Sequence, residues 1–240
     1  TNQLWFPVGE RLSYGLYWGI IPVGKAEFWS EWDMYEDRKV IVLKARAETG
    51  HIVSKLYPVD DRIYTIVDPS TFKPIRYVQK LNEGGKKRHD IIIFDYENGK
   101  AHWTSGIKEK EHKTLEIDKN TRDVLSLVYF MRSRGLGRRE KRKFKVAVDE
   151  KVYDLSVKAQ GYEKIRAGKF GRVRCLKVEP AAKFGEIFVR GGKVHLWFSE
   201  DKTRICTKMT AKVPLASVKA LLLDLSGPDN EIWKERERQD

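Results

Sequence analysis

Alternating apolar and polar positions recur along most of the chain and predict a protein built mainly from β-strands. Between Leu12 and Trp18 every second residue is strongly apolar, a period of two that puts one face of a strand inside. Turn sequences such as Asn98-Gly99 separate the later strand-like segments and favour hairpins. About a dozen strands with short connections predict one antiparallel sheet that runs through neighbours.

One stretch departs from this pattern. Residues 120–135, NTRDVLSLVYFMRSRG, predict a helix with Asn120 as N-cap, Asp123 three residues later as in a capping box, and Gly135 as the stop. The residues between are apolar on nearly every side, and such a helix is buried. Because twist accumulates in a long sheet and curls it, we predict that the helix fills the concavity.

The fold class predicted is therefore mainly β. It is a curved antiparallel half-barrel of about a dozen strands wrapped around the buried helix 120–135. A short helical turn is expected near 51–57, where Pro58 ends it. Residues 1–226 are assigned to this single domain, and residues 227–240 to a polar C-terminal tail with a loose end.

Composition supports a folded protein with a basic surface. The chain is 41% hydrophobic and contains no apolar run of 18 residues, so no membrane span is expected. Its 47 basic and 34 acidic residues give a net charge of +13, which favours anionic partners or serves solubility alone.

The two cysteines, Cys175 and Cys206, lie on predicted strands with at least one other strand between them. Next-but-one strands are about 9.6 Å apart, whereas a disulfide needs Cα atoms within about 7 Å. We therefore predict no disulfide between them.

Aromatic residues are the first candidates for a ligand site. In one interpretation they line a pocket for an acyl chain, and in the other they are ordinary core. The candidates are Tyr14, Trp18, Tyr57, Trp103, Tyr129, Phe130 and Trp197.

The segment 132–145 is the densest basic cluster, and Glu140 is its only acid. It predicts either a docking patch for an anionic membrane or glycan, or a solvated loop and edge strand. Because it carries no recognisable nucleic-acid motif, no nucleic acid is expected as a partner. The proposed anion-docking residues are Arg138, Arg139, Lys141 and Arg142.

An enzyme acting on an envelope glycan is the alternative, with Glu48, Asp60 or Asp61 as acids. Adjacent strand residues point to opposite faces, so Asp60 and Asp61 cannot both act inward. The five histidines show no metal spacing, and no nucleophile motif occurs. We therefore expect no catalytic residue, no metal and no cofactor.

Five stretches together resemble a bacterial family of exported proteins, domain of unknown function 3108. They are FPVGERLSYGLYWGIIPVGKAEF (6–28), SKLYPVDDRIYTIVDPSTFKP (54–74), DVLSLVYFMR (123–132), GYEKIRAGKFGRVRCLKVEP (161–180) and LWFSEDKTRICTKMTAKVPLASVKALL (196–222). Cys206 departs from the family pattern, which usually has proline there. The basic segment 132–145, called the basic run below, departs from it as well.

The resemblance implies an exported envelope protein with a fold like the half-barrels of lipoprotein carriers, which hold acyl chains in the concavity. The first residue is Thr1, so a signal peptide is expected to have been removed. The resulting hypothesis is a periplasmic, non-enzymatic protein that binds an apolar or amphipathic ligand, such as a lipid or lipid-linked molecule. Its other candidate role is a structural module that docks anionic partners through the basic run.

Overall fold

The computed structural model describes residues 4–108, 111–133, 135–182, 193–213, 216–228 and 231–237. Within them, 14 strands form one sheet. The strands are β1 Arg11–Trp18, β2 Ile21–Tyr35, β3 Arg38–Thr49, β4 Asp60–Val67, β5 Pro74–Glu83, β6 Lys86–Asp95, β7 Lys100–Ser105, β8 His112–Glu116, β9 Lys141–Val148, β10 Lys151–Arg166, β11 Arg172–Ala182, β12 Val194–Ser199, β13 Cys206–Val213 and β14 Ala216–Ser226. The helices are α1 His51–Ser54, α2 Val124–Ser133 and α3 Glu231–Glu237.

The sheet consists of two meanders joined at their ends. Strands β1 to β8 follow one another across the sheet, as do β9 to β14, and β1 pairs with β14. In that antiparallel pairing Arg11 lies opposite Ser226 and Trp18 lies opposite Val218. The predicted single antiparallel sheet is confirmed, with 14 strands where about a dozen were expected.

The sheet is open, and its edge strands β8 and β9 form no ladder with each other in the described part of the chain. A short bridge joins this seam: Arg122 N–H donates to Lys145 O at 3.0 Å, and Ala147 N–H donates to Arg122 O at 2.8 Å. An ion pair between Lys113 Nζ and Glu150 Oε1, at 3.1 Å, crosses it as well.

Helix α2 lies in the concavity and contacts β3, β4 and β9. None of its residues is exposed, which confirms the predicted buried helix. Its end at Ser133 is close to the predicted one, and Arg134 lies outside the described residues. The predicted helical turn near 51–57 is also present, as α1.

The start of α2 differs from the prediction. Asp123, not Asn120, is the N-cap: its Oδ1 accepts hydrogen bonds from the backbone N–H groups of Leu125 and Ser126, both at 2.9 Å. The Ser126 hydroxyl donates to Asp123 Oδ2 at 2.6 Å. These bonds satisfy donors that the helix itself leaves open, so the helix begins at Val124.

The predicted loose tail is wrong for Glu231–Glu237, which forms α3. Trp233 is fully buried, packs edge-on against Phe170 at 5.1 Å between ring centroids, and donates from Nε1 to Thr203 Oγ1 at 3.0 Å. A single large aromatic side chain therefore fixes a segment whose other residues are largely polar.

Both cysteines are free and buried, on β11 and β13 with β12 between them, as the predicted spacing required. Burial raises the pKa of Cys175 to about 11 and that of Cys206 to about 12. Across the described residues, no helix has the length and apolar character needed to cross a membrane.

Candidate functional site

A partly enclosed cavity of about 420 Å³ lies between α2 and the concave face of the sheet. The helix contributes only apolar side chains to its wall, namely Val124, Leu125, Leu127, Val128 and Met131. The volume falls within the range of about 300–1,000 Å³ that small-molecule sites occupy. The space between helix and sheet is therefore large enough for a ligand.

Small side chains on the sheet create this space. Ala26, Ala45, Ala47, Ala211 and Ala220 line the wall opposite α2. The methyl groups of these alanines do not fill the space between the sheet and α2. In the rest of the interior, larger side chains pack tightly. Phe28 is the one aromatic residue in the described lining, so small side chains rather than aromatic ones form most of the wall opposite α2.

The end of the cavity nearest Ala47 lies at the loops that join β1 to β2 and β3 to β4. Lining residues Leu16, Asp61 and Val218 are near the strand ends that meet there. Gly50 N–H donates to Val23 O at 2.9 Å and holds the start of the β3–β4 loop against β2. We call this end the cavity mouth and residues 18–21 and 50–59 the mouth loops.

The mouth loops expose large apolar side chains. Ile20 and Leu56 are 89% and 87% exposed, and Ile21 and Ile52 are exposed as well. A cluster of exposed large apolar residues commonly marks an interaction surface. Phe6, before β1, and Phe72, in the β4–β5 turn, lie at the opposite ends of the strands and pack with Tyr129 of α2.

Two charged residues lie along the cavity wall, and they face opposite ways. Arg46 lies between Ala45 and Ala47 on β3, and its side chain pairs with Glu48 at 2.6 Å and with Asp60 at 3.1 Å. Since strand side chains alternate between faces, the alanines point inward and Arg46 points outward.

Asp61, directly opposite Ala47 in the β3–β4 pairing, points inward. Its Oδ1 accepts a hydrogen bond from Asn82 N–H at 2.9 Å. The pKa of Asp61 is raised to about 6, mainly by burial and also by the nearby carboxylates of Glu83 and Asp60, against the lowering effect of the hydrogen bond from Asn82. Asp61 is the one ionisable side chain that the described wall directs inward.

The structure places four of the seven predicted aromatic side chains in three parts of the core, with Tyr14 and Trp197 in the same cluster. Tyr14 donates to Cys206 O at 2.6 Å, Trp103 Nε1 to Asp90 Oδ1 at 2.9 Å, and Trp197 Nε1 to Glu163 Oε2 at 2.8 Å. Tyr129 packs with Phe6 and Phe72. These four side chains lie in the core, which is the second of the two interpretations of the aromatic residues.

The other three candidates lie at the edges of the concavity. Phe130 lies under the guanidinium of Arg122, which is 3.8 Å from the ring centroid. Trp18 and Tyr57 are about half exposed and belong to the mouth loops. None of the seven is among the described residues that line the cavity, so the structure does not bring them together. Their contact with a ligand stays a prediction.

The basic run divides into buried and exposed parts. Arg132 is buried and ion-paired with Glu10 rather than available for docking. Arg142 is half-buried, and its Nε donates to Glu140 Oε1 at 2.6 Å. Arg138, Arg139 and Lys141 are exposed.

The candidate acids of the glycan-enzyme alternative do not converge. Glu48 and Asp60 share Arg46 on the outer face, and Asp61 lies on the inner one. The described residues also contain no cluster of metal-ligating side chains.

The signal for the cavity was present in the sequence at 44–48, KARAE. There, small apolar residues alternate with charged ones, and a strand of this kind has an inner face without bulk.

The open antiparallel sheet, the enclosed helix and the apolar cavity define a β-barrel-like protein. Residues 13–223 match the model of a protein family of unknown function, DUF3108, and the chain belongs to this family. It is also similar to the crystal structure of a β-barrel-like protein of the domain of unknown function DUF1849 from Brucella abortus. That likeness has a TM-score of 0.62 at 14% identity and covers 93% of this chain and 99% of the other. No curated protein matches the chain significantly.

Proposed function

We propose that this protein binds one amphipathic molecule, such as a lipid or lipid-linked compound, with its apolar chain in the cavity against α2. The observation that carries the proposal is the volume of about 420 Å³ with an almost wholly apolar wall. Burying an acyl chain there releases about 0.8 kcal/mol for each CH₂ group taken from water. The role is binding, and no catalytic step is part of it.

The mouth loops give the proposal its second support. Exposed side chains such as Ile20 and Leu56 offer an apolar path between the surface and the cavity. An amphiphile that follows this path keeps its chain in contact with apolar groups as it enters.

Mass spectrometry of the gently purified protein under native conditions, with extraction and analysis of lipids, tests the proposal. We expect about one exchangeable amphiphile per chain, since the described residues form one cavity of this size. The variant Val128→Trp places an indole in the cavity and should weaken binding at least tenfold. Ile93→Trp, on an exposed position of β6, is the matched control and should bind as the wild type does.

Two results would refute the proposal. One is a protein that neither carries nor takes up an amphiphile. The other is a Val128→Trp variant that binds as well as the Ile93→Trp control.

A second candidate function uses the exposed part of the basic run. We propose that Arg138, Arg139 and Lys141 dock the protein on an anionic membrane or glycan, at about 1 kcal/mol for each charge near a membrane surface. Reversing the three charges should abolish co-sedimentation with phosphatidylglycerol vesicles at low salt. Unchanged sedimentation would reject this function.

The proposal includes export to the periplasm, which the resemblance to exported envelope proteins supports. Fractionation of the cells that make the protein tests this location, and recovery with the cytoplasmic fraction would refute it.

A further inference from the structure

The cavity has a polar end, and its chemistry is acidic. Asp61 lies inward at the mouth, next to apolar neighbours such as Leu16 and Leu81. Its Oδ1 uses one acceptor position for Asn82 N–H. The Glu83 carboxyl also lies within hydrogen-bonding reach of Asp61. An ionised carboxylate offers about four acceptor positions, so Asp61 keeps capacity for a donor on a bound molecule.

The charged groups around Asp61 lie on β3, β4 and β5. On β4 the adjacent Asp60 is negative, and on β5 Glu83 is negative. On β3 the cation Arg46 points outward, where Glu48 and Asp60 occupy its guanidinium. The residues of α2 that line the cavity are all apolar.

The polar end therefore has negative character although the whole protein carries a charge of +13. Exposed charges act over roughly 8–10 Å in physiological salt, and partly buried charges are screened less. Within the mouth, the nearest group thus determines the interaction with a bound head group. Asp61 makes no ion pair with any residue in the described part of the chain.

We propose that Asp61 selects the head group of the bound amphiphile. The cavity takes a chain whose polar end is a neutral or cationic hydrogen-bond donor, such as a hydroxyl or an amine. It discriminates against an anionic head such as a sulfonate, a phosphate or an ionised carboxylate. This inference rests on the proposed function, since it assigns the ligand class of the same cavity.

Three probes with the same chain length test the inference: dodecylamine, monododecanoylglycerol and dodecanesulfonate. Each is titrated into the delipidated protein below its critical micelle concentration by isothermal calorimetry. At pH 8 we expect the amine and the glyceride to bind at least about tenfold more tightly than the sulfonate, a difference of about 1.4 kcal/mol.

Two variants separate the local effect from surface charge. Asp61→Asn keeps an oxygen for Asn82 N–H and removes the inward charge, so sulfonate affinity should rise about tenfold. Asp60→Asn removes the same charge from the adjacent outer position and should leave the preference unchanged. Because the pKa of Asp61 is raised to about 6, the wild type at pH 5 should approach the Asp61→Asn variant.

The outcomes are distinguishable. Equal or tighter binding of the sulfonate by the wild type at pH 8 overturns the head-group inference and leaves the proposed function standing. Equal effects of the Asp60 and Asp61 substitutions overturn it too, because only general surface charge would then matter. Failure of all three probes to bind overturns the proposed function together with the inference.

Discussion

Arg132 and Glu10 form a buried, two-pronged ion pair that ties the end of α2 to the segment before β1. Arg132 Nη1 lies 2.5 Å from Glu10 Oε1, and Nη2 lies 2.9 Å from Oε2. Both side chains are almost fully buried. Arg132 also donates from Nε to Thr203 O at 3.1 Å, so the same guanidinium contacts the turn before β13.

Replacing Arg132 by Met should destabilise the protein by about 3–5 kcal/mol, because Glu10 would keep a buried charge without a partner. Urea denaturation followed by circular dichroism measures this loss. The exposed pair of Arg11 with Glu27 is the control, and Arg11→Met should cost at most about 1 kcal/mol. Similar losses in the two variants would contradict the structural role assigned to Arg132.

The helix cap gives a second prediction. Asp123→Ala should lower the free energy of unfolding by about 2 kcal/mol, because two backbone N–H groups and the buried Thr65 hydroxyl lose their acceptor. Asn120→Ala, at the position that the sequence alone assigns as the cap, should cost less than about 0.5 kcal/mol. A reversed order of the two losses in urea denaturation would refute the assignment of Asp123.

Asp61 should make stability depend on pH. Its pKa is raised to about 6 from 3.8, so the native state holds the proton more tightly than the unfolded state. Its favourable contribution is then fully present below about pH 4 and is lost as the pH rises through about 6. Asp61→Asn should therefore stabilise the protein by about 1–2 kcal/mol at pH 7.5, after a reduction for partial solvent screening.

At pH 4 the same substitution should have little effect on stability. Urea denaturation at intervals from pH 4 to 7.5 measures the difference between the wild type and the variant. Asp60 should show the opposite sign, since its bond to Arg62 lowers its pKa, so Asp60→Asn should be mildly destabilising at pH 7.5. A constant difference across the pH range for Asp61→Asn would contradict the burial of its carboxyl.

Trp233 should contribute to stability even though it lies close to the C-terminal end of the sequence. Trp233→Ala should cost about 3 kcal/mol, because the indole is fully buried against Phe170 and hydrogen-bonded to Thr203. The neighbouring exposed Lys234→Ala should change the free energy of unfolding by less than about 0.5 kcal/mol. Thermal denaturation of both variants makes the comparison, and equal midpoints would argue for a loose tail.

The buried helix could be predicted because its evidence is local. Residues from Leu125 to Met131 are mostly apolar whichever way the helix turns, and only the interior of the sheet can receive them. The cap was harder to place: Asn120 and Asp123 are equally good N-cap types, and the bond from Thr65 to Asp123 depends on a strand 58 residues away.

The cavity wall could be predicted only in part. Alternation along the strand shows that one of Asp60 and Asp61 faces inward, but the register with Ala47 determines which. Residue type does not give position, so the aromatic residues alone could not locate the wall of the cavity. Tyr14 and Trp103 pack in the core with their polar atoms bonded, and the alanines opposite α2 leave the space.

Because the sheet is not closed between β8 and β9, its diameter is not fixed by the strands alone. A closed barrel has its radius fixed by the number and stagger of its strands. Here the described ends of the sheet meet only through the Arg122 bridge and side-chain contacts such as Lys113 with Glu150. The diameter of the open sheet therefore depends on the size of the element packed inside it, and here that element is α2.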